Sequence, residues 1–171
     1  MRPIITLAEA VKLKSILNKK IQELTHEISR VAHTIVEKGE EPKLPERGLL
    51  HVEAELAIVR KDARTLDRLI YRANIDNHVL FNGEKLALVE AIELATQLRA
   101  EAGQAKELGM SEKESYFHSS GEMTFYRIAL YDPAIYRARA NEVEKQAHRL
   151  SNAINAKNYQ IEIDFDDSAY F

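Results

Sequence analysis

At 171 residues the chain has room for one ordinary domain or an elongated bundle, and its 45% hydrophobic and 30% charged residues supply a sizeable core and exclude global disorder. The absence of cysteine excludes disulfide frameworks, thiol nucleophiles, thiolate zinc sites and iron–sulfur clusters, all of which need sulfur. A formal charge of −3, from 24 Lys and Arg against 27 Asp and Glu, provides no chain-wide positive field to neutralise phosphates, so nucleic acid is not an expected partner.

The opening Met1-Arg2-Pro3-Ile4-Ile5-Thr6 passes directly into a charged periodic segment, with neither the apolar run nor the small-residue cleavage site of a leader. No window approaches the ~20 apolar residues of a spanning helix. A cytoplasmic location without stable membrane insertion is therefore expected. Thr6-Leu7-Ala8-Glu9 has the pattern of a capping box, in which hydroxyl and carboxylate satisfy amides that the first helical turn leaves unpaired. From there Leu7, Ala10, Leu17, Leu24 and Val31 interleave with Ile21, Ile28 and Ile35, a heptad seam with one lapse at Lys14. The spacing predicts a helix to about Lys38, with Gly39 as its stop.

Pro42 and Pro45, between Gly39 and Gly48, predict a connector. The seam resumes through Leu49, Val52, Leu56, Val59, Ala63, Leu66, Ile70 and Ala73, so the two helices should fold back on each other. Leu13, Ile16, Leu50, Ile58 and Leu69 widen the stripes beyond what two strands of a coil can hide, which calls for further helices or a second subunit. Asn82-Gly83 is a type I′ turn pair, and a third helix should follow from about 85 to 108. Residues 110–121 lack an apolar period and read as a loop anchored by Tyr116 and Phe117. Residues 122–131 alternate as a strand through Thr124, Tyr126, Ile128 and Leu130. Asp132-Pro133 then opens a fourth helix, to about Asn155. Tyr159, Ile161, Ile163 and Phe165 alternate with polar residues as a closing strand, whose natural partner is the 122–131 strand; the terminal residues beyond it should fray. The expected fold is mainly α, a single elongated domain over 1–171. A long antiparallel, coiled-coil-like hairpin (6–75) is joined by two further helices and a small β element, the latter within a strand–helix–strand stretch over about 122–165.

Four stretches in order, LAEAVKLKSIL (Leu7 to Leu17), EKGEEPKLPERGLL (Glu37 to Leu50), LIYRANIDN (Leu69 to Asn77) and RLSNAINAKNY (Arg149 to Tyr159), resemble the septicolysin-like family of small helical bacterial proteins. The resemblance spans nearly the whole chain. It implies a long helical hairpin with further helices packed on it and an unsettled function, and the family's name points to a pore-forming cytolysin. Two stretches depart from the pattern. The family's Thr-rich, Arg-Asp opening of the third helix is here Glu84-Lys85-Leu86-Ala87, leading to Glu93-Leu94, and its closing Asn-Trp is Asn158-Tyr159. The resemblance supplies a fold and no catalytic residues.

Motifs that carry chemistry are sparse. Glu23-x-x-His26 places a carboxylate and an imidazole on one helix face, as in di-iron bundles, but no second copy exists to complete such a site; His26 and His33 read as a solvated flank. Glu90-x-x-Glu93 is the first half of a magnesium-binding pair of the kind used by all-helical nucleotide pyrophosphatases, and no Glu-x-x-Asp follows it. Ser119-Ser120-Gly121 beside His118 lacks the strand-to-helix context of a nucleophile elbow. The best polar cluster is Arg72, Asn74 and Asn77 with Asn158, for which helix capping is the plain structural role. Tyr126, Tyr131 and Tyr136 add aromatic surface of a kind common at interfaces. No catalytic residue, metal site or cofactor is expected, and no small-molecule ligand can be named. The expectation is a non-enzymatic protein that forms a homo-oligomer through its helix faces.

Overall fold

The computed structural model describes residues 4–171; Met1, Arg2 and Pro3, part of the segment read for a leader, lie outside them. In chain order the elements are β1 (Ile4–Thr6), α1 (Leu7–Val31), α2 (Leu49–Asp76), β2 (His78–Phe81), β3 (Glu84–Ala87), α3 (Leu88–Met110), β4 (Glu114–Ser120), β5 (Met123–Ile128), α4 (Pro133–Asn158) and β6 (Glu162–Asp164). The fold is mainly helical with small antiparallel strand pairs. The chain divides into two compact units, one formed by Met1–Asn77 with Asn158–Phe171 and the other by His78–Lys157.

In the first unit α1 starts on the capping box. Glu9 N donates to Thr6 Oγ1 at 3.2 Å, and the Glu9 carboxylate accepts from Thr6 N at 2.7 Å and from Thr6 Oγ1 at 2.8 Å. Three ion pairs then tie α1 to α2 and to the connector just before it in antiparallel sense: Lys14 to Asp67 at 2.5 Å, Lys20 to Glu55 at 3.0 Å, and Glu27 to Arg47 at 3.2 Å. Leu7, Ala10, Leu13, Leu17 and Leu24 are buried on α1, and Val52, Leu56, Val59, Leu66 and Ile70 on α2. The heptad lapse at Lys14 is filled by chemistry: its ammonium meets Asp67 and lies 5.6 Å from the centre of the Tyr71 ring, and the hydrogen bond to Asp67 raises its pKa.

α1 ends at Val31, seven residues before the expected Lys38, and Gly39 does not cap it. The pattern continues to Ile35, but that side chain is 99% exposed. α2 begins only at Leu49, next to the Arg47 that pairs with Glu27, so a longer α1 would have no neighbouring face to bury against, and helices of this kind persist mainly through such packing. Gly39 instead sits at φ +96° in a turn closed by Glu40 N donating to Glu37 O at 3.0 Å.

The strand pairing also differs from expectation. β6 spans only Glu162–Asp164 and pairs with β1, Ile5 opposite Ile163, while Leu7 N donates to Ile161 O at 2.8 Å. The 122–131 strand is β5, and its partner is β4, formed by the residues read as a loop. Gly121 at φ +63° and Glu122 connect the two, so β5 takes a local partner through a short turn instead of pairing with the closing strand across the fourth helix. The C-terminal residues do not fray freely, because the Tyr170 hydroxyl donates to Asp62 on α2 at 2.5 Å.

In the second unit Asn82 (φ +50°) and Gly83 (φ +83°) form the turn of the β2–β3 hairpin, which feeds α3. Glu90 accepts from Ala87 N at 3.0 Å at the α3 entrance. Asp132 accepts from Ala134 N at 2.9 Å with Pro133 as the first residue of α4, which runs three residues past the expected Asn155.

Candidate functional site

The four residues of the polar cluster separate into different roles. Arg72 is exposed and pairs with Asp76 at 3.3 Å. Asn77 caps α2, its side-chain amide donating to Ala73 O at 2.9 Å. These two line a cleft of about 210 Å³ against Ile161–Asp164. Asn74 and Asn158 do not line it, and the Asn158 Oδ1 is buried with no hydrogen-bond donor among the described residues. Arg72 and Asn77 are each engaged with their own helix, a structural use of the residues that line this cleft. Among the described residues no three His, Cys, Asp or Glu side chains gather closely enough to hold a metal ion.

Two surface features of the second unit stand out. The first is a groove of about 570 Å³ between α3 and α4. Its lining is small and apolar at Ala102, Gly103, Ala140 and Ala147, and cationic at Arg99, Lys106 and Arg137, with His148 beside them and Glu144 as the carboxylate. Arg99 donates to Ser151 at 3.0 Å across the groove, and Arg137 donates to Gly109 O at 2.7 Å at one end. These basic residues escape a search for apolar periodicity. Their signal is the helical spacing of Arg99, Gly103, Lys106 and Met110, which puts them on one face of α3.

The second feature is the β4–β5 hairpin. Lys113 holds its base, donating to Ala129 O and Tyr131 O at 2.8 Å each, and the Tyr131 hydroxyl donates to Leu108 O at 3.0 Å. Tyr116 faces Tyr126 edge to face at 6.5 Å on one side of the ribbon, and His118 stacks on Phe125 at 4.7 Å on the other. The register slips between Tyr116 and His118, leaving Phe117 as the extra residue of a bulge. Tyr116, Phe117, Met123, Phe125, Tyr126 and Ile128 are all exposed.

The fold class these elements define is a mainly helical one with small strand pairs, and it has a counterpart of known structure. The chain is similar to a functionally unknown conserved protein from Corynebacterium diphtheriae, at 22% identity and a TM-score of 0.67, over 94% of this chain and 99% of that chain. At this identity the likeness shows the fold alone. No protein-family model matches the chain, and no curated protein does.

Proposed function

We propose that the protein is a cytoplasmic, non-enzymatic module that associates with itself, the long α1–α2 hairpin serving as a packing surface. The observation that carries this reading is an apolar stripe on α2. Leu50 (81% exposed), Ala54, Ala57 and Ile58 (60% exposed) recur at helical spacing on one face and remain outside the core. Large uncovered apolar surface of this kind marks an interaction site. The septicolysin-like resemblance fits a helical protein of this size. The membrane-active reading attached to that family name is the alternative, and no helix among the described residues is long and apolar enough to cross a membrane.

Sedimentation velocity and light scattering on the purified protein, from nanomolar to high micromolar, test the proposal. A stable oligomer that dissociates in Ile58→Asp is the expected result. A monomer throughout that range, or leakage of dye from phospholipid vesicles by the monomer, overturns it.

A further inference from the structure

Resting on that self-association reading, we infer that the β4–β5 hairpin is a dimerisation arm, which lies in the α3–α4 groove of a second copy of this chain. A two-stranded ribbon is marginal in water on its own and holds its form when one face packs on something apolar. Here neither face is covered. Tyr116 (63% exposed), Phe117 (63%) and Tyr126 (55%) are open to solvent, and so are Met123 and Phe125 on the opposite side of the ribbon from Tyr126. At about 200 Å² for a fully exposed aromatic side chain and slightly less for Met and Ile, the uncovered surface of Tyr116, Phe117, Met123, Phe125, Tyr126 and Ile128 is on the order of 600 Å² summed over both faces of the arm. One face of the arm together with the groove of the same copy brings each partner's contribution towards the ~800 Å² of an interface of standard size.

The groove has the complementary character. Its floor of Ala102, Gly103, Ala140 and Ala147 leaves room for aromatic rings, and Arg99, Lys106 and Arg137 supply positive charge. The arm carries Glu112 and Glu114 near its base and Glu122 at its tip; its own cations, Lys113 and Arg127, lie at the base, Lys113 turned to the backbone oxygens of Ala129 and Tyr131. The seven residues of β4 extend over roughly 23 Å, enough to run the full roughly 17 Å over which the groove follows α3 between Arg99 and Met110. Lys113 closes the base of the arm, donating to Ala129 O and Tyr131 O, three residues beyond the Met110 end of the groove. A two-fold axis that seats each arm in the other copy's groove satisfies both surfaces in one closed, isologous contact.

The absence of cysteine makes this directly testable in the full chain. A Cβ at Gly103 meets nothing within 4 Å, so Gly103→Cys fits the groove floor, and Ser119→Cys marks the arm. Mixing the two single variants under mild oxidation should give a covalent heterodimer, while Gly103→Cys alone stays monomeric on a denaturing gel. Phe117→Ser with Tyr126→Ser should raise the dimer dissociation constant at least tenfold with an unchanged helical circular-dichroism spectrum. Lys106→Glu should weaken the dimer, and Glu114→Lys or Glu122→Lys added to it should restore it. A dimer that survives the arm substitutions but dissociates in Ile58→Asp overturns the arm and leaves self-association standing. A wild-type monomer overturns both. Binding of the monomer to phosphatidylglycerol vesicles, lost in the Phe117/Tyr126 variant, reassigns the arm to a lipid surface and overturns the inference.

Discussion

Arg137 donates from Nη1 to the carbonyl of Gly109 at 2.7 Å, and the approach that allows this leaves no space for a side chain at position 109. A Cβ there would stand 2.7 Å from Arg137 Cγ and 2.9 Å from its backbone nitrogen. The side-chain atom can move aside, but the backbone cannot without shifting α4.

Gly109→Ala and Gly103→Ala are therefore expected to act in opposite directions, although both replace glycine inside α3. At 103 the new methyl meets nothing, so the ordinary helix preference for Ala should stabilise by up to ~1 kcal/mol. At 109 the clash should exceed that gain and leave a net loss of about 1–2 kcal/mol. Urea denaturation followed by circular dichroism measures both. Equal stabilisation by the two substitutions would show that the helices are not in close contact at Gly109.

Glu55 is where two cations from different parts of the first unit converge. Lys20 reaches it at 3.0 Å and Arg47 at 2.6 Å, and these partners, Lys20 first, hold its carboxyl below the usual range. A depressed folded-state pKa stabilises above the unfolded carboxylate value and is lost as pH falls through the folded one. Because the site is partly exposed and screened, the effect is no more than about 1 kcal/mol. Glu55→Gln should thus be less stable than the wild type at neutral pH and equal to it at strongly acidic pH. A stability gap that persists in acid would assign the loss to packing instead.

The α2 seam is legible in the sequence because burial follows its heptad through Val52, Leu56, Val59, Leu66 and Ile70, with Ala63 half-buried between them. The end of α1 is not. Ile35 continues the pattern, and what stops the helix is the lack of an opposing face, a tertiary fact. β4 is hidden for a different reason. Ser115, His118, Ser119 and Ser120 have little strand preference, and the bulge at Phe117 breaks the alternation, so only its pairing with β5 defines it. β1 offers just Ile4 and Ile5, too short to register as a period. The cationic groove draws Arg99 and Arg137 from separate helices, and no linear spacing links them.

The capping box at the start of α1 was readable from four residues, and its removal should be local. Thr6→Ala takes away the acceptor for Glu9 N, at a cost of about 1 kcal/mol. The backbone and hydroxyl hydrogen bonds from Thr6 lower the pKa of Glu9, so its stabilising contribution is present above the ordinary carboxylate range and fades as pH drops through the folded value. Glu9→Gln should accordingly flatten part of the acid limb of the stability curve. A carboxyl resonance titrating at the ordinary Glu value in a pH series of NMR spectra would rule the box out in solution.

Tyr170 ties the end of the chain to Asp62, 108 residues earlier. Burial is the main reason its phenol pKa is raised, and the hydrogen bond to Asp62 adds to it, since ionising the phenol would set one anion against another. A raised folded-state pKa means that the stabilisation is complete below the unfolded value of about 10 and disappears as pH climbs through the folded one. Of the seven tyrosines, one should therefore ionise late in an ultraviolet titration, and that late step should vanish in Tyr170→Phe. The same substitution removes a single hydrogen bond and should cost roughly 1 kcal/mol at neutral pH, with the gap to the wild type narrowing in strong alkali. If the substitution leaves both the late ionisation and the neutral-pH stability unchanged, the C-terminal residues are not held against α2 by this contact.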